Sequence, residues 1–75
     1  MRLILYTTTF CHLCEQAVTI LQAAGVTAEH FDIAEDEYLL ERYGIRIPVV
    51  RRLDNGAELG WPFEETALRR FVAGE

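Results

Sequence analysis

Cys11 and Cys14, the only cysteines of the chain, stand three positions apart in the stretch TTTFCHLCEQA. Thiols at that spacing can staple the fold, share a metal or exchange electrons. A structural disulfide closing so short a loop constrains the chain little. Zinc needs about four ligands, and beyond the two thiols only His12, His30 and carboxylates are on offer. A c-type haem site needs histidine directly after the second cysteine, where Glu15 stands. Thiol–disulfide chemistry is therefore the favoured reading, with a zinc-binding domain and a non-enzymatic binding module as the alternatives.

Such chemistry runs through the thiolate, and a free cysteine with a pKa of about 8.5 is mostly protonated at neutral pH. The opening turn of a helix favours the anion. Its first N–H groups lack intrahelical partners, and with the helix dipole they stabilise a negative charge by about 0.3–2 kcal/mol. The spacing predicts a helix that begins at this pair, which makes Cys11 the expected nucleophile and Cys14, one turn on, the buried resolving thiol. A protonated His12 favours a thiolate at Cys11 and Glu15 disfavours it, each by the modest amount of an exposed pair.

Composition narrows the remaining classes. Twelve acids against seven bases give a net charge of −5 in 75 residues, which disfavours nucleic acid and anionic lipid as partners. All seven bases are arginine, so Schiff-base and lysine-nucleophile chemistry are excluded. Half the residues are apolar (51%), enough for a globular core in one domain spanning residues 1–75. The apolar run Leu3 to Tyr6 is far short of the roughly 7–15 residues of a signal-peptide core or the roughly 20 of a membrane span. The expected compartment is the cytoplasm, where thiols are kept reduced.

The elements that must position the thiols can be read from periodicity. Leu3 to Tyr6 suits a buried strand, and Leu13, Ala17, Ile20, Leu21 and Ala24 recur at helical spacing up to Gly25. Ala28 to Ile33 is a second strand, parallel to the first because a helix crosses between them. Glu35, Asp36 and Glu37 open a helix through Tyr38, Leu39 and Tyr43 that stops at Gly44. The segments IPVVRRL and AELGW flank Asp54-Asn55-Gly56, turn chemistry for an antiparallel hairpin. Phe63 to Val72 closes the chain as a helix, with Ala67, Leu68, Phe71 and Val72 on its apolar face. The order β-α-β-α-β-β-α predicts an α/β fold, a four-stranded mixed sheet with helices on both faces.

With these residues placed, the chain resembles the small glutaredoxin-like proteins of the thioredoxin superfamily. The resemblance rests on CHLCEQA after the first strand, on Phe31 to Val50, and on ELGWPF before the last helix. It implies a thioredoxin fold and a redox-active centre serving electron transport and cell redox homeostasis. It also implies that Pro48 is cis and that the Ile47 backbone pairs with substrate like an added strand. No cofactor is implied beyond an external reductant. Typical glutaredoxins carry Cys-Pro-Tyr-Cys and a Gly-Gly-x-Asp stretch that holds glutathione; this chain has Cys-His-Leu-Cys and Gly-Trp-Pro-Phe-Glu-Glu. Trp61 would fill space that those glycines leave open, while Arg46 with Glu64 or Glu65 could meet the charged ends of the tripeptide. GWPF is also similar to a stretch in the small redoxins that feed ribonucleotide reductase and are reduced by thioredoxin reductase.

Phe10, His12, Arg46, Ile47, Pro48 and Trp61 are thus the residues expected at a substrate surface around Cys11 and Cys14, with no metal. The expected partners are a disulfide-bearing protein or glutathione, with thioredoxin reductase as a further electron source, and the expected state is a monomer. Phe63 is a weaker rim candidate. Asp32, at the end of the second strand, reads as a cap, His30 as a structural or exposed strand residue, and Arg51-Arg52 as a solvated pair near the hairpin.

Overall fold

In the computed structural model, which describes residues 2–74, the chain alternates strand and helix from its start. Residues 1 and 75, the ends of the expected domain, lie outside the described residues. The elements are β1 (Leu3–Thr7), α1 (His12–Ala23), β2 (Glu29–Asp32), a single 3-10 turn (Ile33–Glu35), α2 (Glu37–Tyr43), β3 (Val49–Arg52), β4 (Glu58–Gly60) and α3 (Glu65–Ala73). The sheet order is β2-β1-β3-β4. β2 runs parallel to β1 with Thr7 opposite Asp32, and β3 runs antiparallel with Tyr6 opposite Val49. β3 and β4 form the expected hairpin, with Val49 opposite Gly60 and Gly56 at a positive φ of 74° in its turn.

Alternation along the strands sorts the core into two layers. Leu3, Leu5 and Val50 face Ala17 and Leu21 of α1, Phe63 and Leu68 of α3. On the other face Tyr6 and Val49 meet Ile33 and Tyr43 at the end of α2, the two tyrosine rings stacked with centroids 4.5 Å apart. This is the α/β thioredoxin fold expected above, with helices on both sides of a mixed sheet. Among the described residues no helix is long and apolar enough to cross a membrane.

Several local expectations need correction. Leu13 is exposed at 43%, because the inward position of the first turn is taken by Cys14. Ile33 leaves the strand and Glu35 never enters α2: the side chains of Asp32 and Asp36 cap the 3-10 turn and α2, accepting from Ala34 N at 2.9 Å and from Tyr38 N at 2.9 Å. Tyr38 is likewise exposed. Phe63 packs in the core ahead of α3, which starts at Glu65, and Ala67 faces solvent.

Arg51-Arg52 is not a solvated pair. Arg52, on the Val50 side of β3, is 8% exposed. Its Nε and Nη2 donate to the Asp54 carboxylate at 3.0 and 2.6 Å, and its Nη1 to the Phe71 carbonyl at 3.0 Å. The hairpin is thereby tied to the end of α3. Each partner steadies the other's charge: Asp54 is held below the usual carboxylate range by Arg52, and Arg52 is raised by Asp54. Arg51, on the opposite face, is half-buried.

Candidate redox site

The register fixes which loops meet. The carboxyl ends of β1, β2 and β4 and the amino end of β3 lie at one end of the sheet. Thr8 to Cys11, Asp32, Ile47-Pro48 and Trp61 follow or precede those strand ends directly, so they gather there. The Ile47–Pro48 and Trp61–Pro62 bonds are both cis. The Trp61 N–H donates to the Pro48 carbonyl at 3.2 Å, tying the two segments together.

Cys11 is the N-cap of α1, with extended backbone (φ −94°, ψ 104°), and its Sγ accepts from the Cys14 N–H at 3.2 Å. The Cys11 carbonyl accepts the Glu15 N–H at 3.2 Å. Serine or aspartate usually fills such a position; here sulfur takes one of the unpaired N–H groups at the helix start. The two sulfurs are joined as a disulfide, with Cα atoms 5.2 Å apart. Cys14 is 3% exposed and Cys11 half-exposed, so only one sulfur is open to attack. His12 and Glu15, both exposed, lie 3.6 Å apart. Among the described residues no three His, Cys, Asp or Glu side chains group as a metal site would require.

Phe10, immediately before Cys11, has φ of 60° and a fully exposed side chain. A left-handed backbone costs a residue with a Cβ about 1–2 kcal/mol, and a bulky side chain there is uncommon. The preceding threonines account for how the turn is held. Thr8 Oγ1 donates to Asp32 Oδ1 at 3.0 Å and Thr9 Oγ1 to Oδ2 at 3.4 Å. The Ala34 N–H, Thr8 and Thr9 together hold the Asp32 carboxyl below its ordinary range, against a smaller opposing effect of burial.

On the far side of the site, the turn after α2 presents Ile47-Pro48. The Tyr43 carbonyl accepts the N–H groups of Arg46 and Ile47 at 2.8 and 3.2 Å. The buried Tyr43 hydroxyl donates to Glu58 of β4 and accepts from Arg42 Nε at 3.2 Å. Burial first, then the Glu58 carboxylate, push the Tyr43 hydroxyl up. Arg46 is drawn back over the Tyr43 ring to Glu58, Nη2 to Oε1 at 3.3 Å. Trp61 is half-buried and meets Phe63 edge to face at 5.1 Å. Ile45, not singled out from the sequence, is as exposed as Phe10.

Sequence reasoning also missed Thr8, Thr9, Tyr43 and Glu58 as parts of the site. Three consecutive threonines ahead of a helix-opening cysteine were the one local signal for the first two. The other pair offers none, since Tyr43 and Glu58 meet only through the folding of β4 beside β3.

The mixed sheet, the cysteine pair opening α1 and the Ile47–Pro48 segment at the same end of the sheet define a glutaredoxin-like protein of thioredoxin fold. The chain belongs to the family described as Glutaredoxin-like domain (DUF836), whose model matches residues 2–73. It is similar to XcR50 from X. campestris, whose X-ray structure superposes with a TM-score of 0.89 at 39% identity, over 97% of both chains. The solution structure of XcR50 gives a TM-score of 0.88 at 39% identity, over 100% of this chain and 96% of the other. Protein Ne2328 from Nitrosomonas europaea shares the fold at 23% identity, with a TM-score of 0.73 over 93% of this chain and 88% of its own. No curated protein matches the chain significantly.

Proposed function

We propose that the protein is a thiol–disulfide oxidoreductase in which Cys11 is the nucleophile and Cys14 the resolving thiol. The observation that carries this reading is a helix-capping Cys11, half-exposed, at disulfide distance from a buried Cys14. The Cys11 thiolate attacks one sulfur of a substrate disulfide; the other leaves as a thiolate and takes a proton from solvent. A mixed disulfide results. Cys14 then gives up its proton and attacks Cys11 Sγ, releasing the second substrate thiol and leaving Cys11 and Cys14 joined. Two electrons and two protons, from two glutathione molecules that leave as glutathione disulfide or from an external dithiol reductant such as thioredoxin reductase, restore the reduced pair.

Substrate would lie against Phe10, His12, Arg46, Ile47, Pro48 and Trp61, pairing with the Ile47 backbone through its carbonyl, since the Ile47 N–H is given to the Tyr43 carbonyl. Fully exposed Phe10 and Ile45 favour a protein disulfide over a charged tripeptide, since both offer apolar contact area. Arg46, engaged by Glu58, is only partly free for a carboxylate.

The test is intact-mass analysis of the reduced protein equilibrated across glutathione redox buffers. Conversion to the intramolecular disulfide is expected, and turnover should vanish in Cys11→Ser. Cys14→Ser should instead accumulate a mixed disulfide. A Cys11→Ser variant with full dithiol activity, or a wild-type protein that exchanges with nothing, overturns the reading.

A further inference from the structure

We propose that Asp32 is a positioning residue for Cys11, acting through Thr8 and Thr9 to hold Phe10 in the left-handed conformation that sets Cys11 on the N-cap of α1. The proposal rests on Cys11 being the nucleophile.

Four observations converge. Asp32 ends β2 directly opposite Thr7, the last residue of β1, so its carboxylate lies beside the turn that leads to Cys11. That carboxylate gathers three donors, Ala34 N at 2.9 Å, Thr8 Oγ1 at 3.0 Å and Thr9 Oγ1 at 3.4 Å, and so joins the start of the 3-10 turn to the β1–α1 turn. Phe10 is the only non-glycine residue with positive φ among the described residues, and its fully exposed ring makes no packing contact that would hold it there. Cys11 then accepts the Cys14 N–H, a bond that exists only while Cys11 keeps its extended capping conformation.

The mechanism follows from these links. Without the carboxylate, Thr8 and Thr9 lose their anchor and Phe10 relaxes toward negative φ, which L residues prefer. Cys11 turns with it, Sγ leaves the N–H groups at the helix start, and the thiolate loses the donors that stabilise it. Asp32 works by geometry, not by charge, since an anion nearby disfavours a thiolate.

The experiment measures alkylation of Cys11 by iodoacetamide at fixed pH, in a Cys14→Ser parent that carries a single thiol. In that parent D32A should react about tenfold more slowly, the loss expected of one helix-start interaction of the thiolate. D32N keeps an oxygen for Ala34 and Thr8 and should recover most of the parent rate. F10G in the D32A background should restore the rate, because glycine adopts φ near 60° without an anchor, whereas F10A removes the same ring and should leave it slow. A merely structural Asp32 would not distinguish glycine from alanine at position 10. The proposal is overturned if folded D32A reacts at the parent rate, if D32N is as slow as D32A, or if F10G fails to rescue. Should D32A lose its cooperative melting transition, T8V decides the matter: a rate lowered severalfold supports the anchor, an unchanged one removes it. Alkylation requires no turnover, so failure of the oxidoreductase reading, seen as wild-type protein inert to glutathione disulfide, is a separate outcome.

Discussion

At the scale of single residues, what governs Cys11 is the balance of charge around one sulfur. The helix start favours an anion there, and Cys14 N–H already points at Sγ from 3.2 Å. Glu15 opposes this, but its side chain is exposed, so solvent weakens it. An exposed pair is worth about 0.2–1 kcal/mol, which corresponds to a factor of about 1.4–5 in a rate or equilibrium. Glu15→Gln is therefore expected to raise the alkylation rate of the reduced thiol by about two- to threefold at neutral pH. The gain should shrink as salt is added, because screening acts on exposed charges first. Stopped-flow alkylation at two ionic strengths measures this, and a rate that falls would mean Glu15 helps to build the helix start more than it repels the thiolate.

At the scale of elements, the site is made by two turns braced from outside the cysteine motif. Asp32 braces the β1–α1 turn. Tyr43 and Glu58 brace the turn that carries Ile47-Pro48, through the Tyr43 carbonyl on one side and its hydroxyl on the other. Tyr43→Phe keeps the ring stacked on Tyr6 and removes only the hydroxyl, so Glu58 loses a buried donor and retains Arg46. Hydrogen bonds to charged groups contribute about 1.5–3 kcal/mol, and the variant should lose about that much stability in urea denaturation with its m-value unchanged. If Arg46 closes fully onto Glu58 instead, the loss falls below about 1 kcal/mol. How much of this was readable follows from sequence distance. The cysteine pair, the Asp54-Asn55-Gly56 turn and the helix periods are local patterns, and they led to the right element order. The Thr8–Asp32 contact spans 24 positions and depends on β1 and β2 pairing in one particular register. Arg52 looked solvated because Asp54, two positions on, is its one local partner, while the Phe71 carbonyl reaches its guanidinium from 19 positions away through the packing of α3. Leu13 looked like core because apolar periodicity cannot tell which of two neighbours, Leu13 or Cys14, turns inward.

At the scale of the whole molecule, the question is whether the Cys11–Cys14 bond holds the fold or merely visits it. Both sulfurs belong to one helix start, and the bond closes a loop only three positions long. In the chain-entropy account such a loop restrains the unfolded state by no more than about 2 kcal/mol. The remaining organisation does not pass through sulfur. The two core layers, the register of all four strands and the Arg52 tie between hairpin and α3 involve other residues, although Cys14 itself fills a buried place. Reduction should therefore leave the protein folded, with far-UV circular dichroism unchanged. Its melting midpoint should fall by less than about 16 °C, given about 4–8 °C per kcal/mol for a domain of this size. Paired melts with and without excess dithiothreitol make the measurement. A cooperative transition in both states means that the fold holding Cys11 at the start of α1 survives reduction, as an oxidoreductase requires. Loss of the transition on reduction would make the disulfide a structural staple, and the redox reading would fall with it.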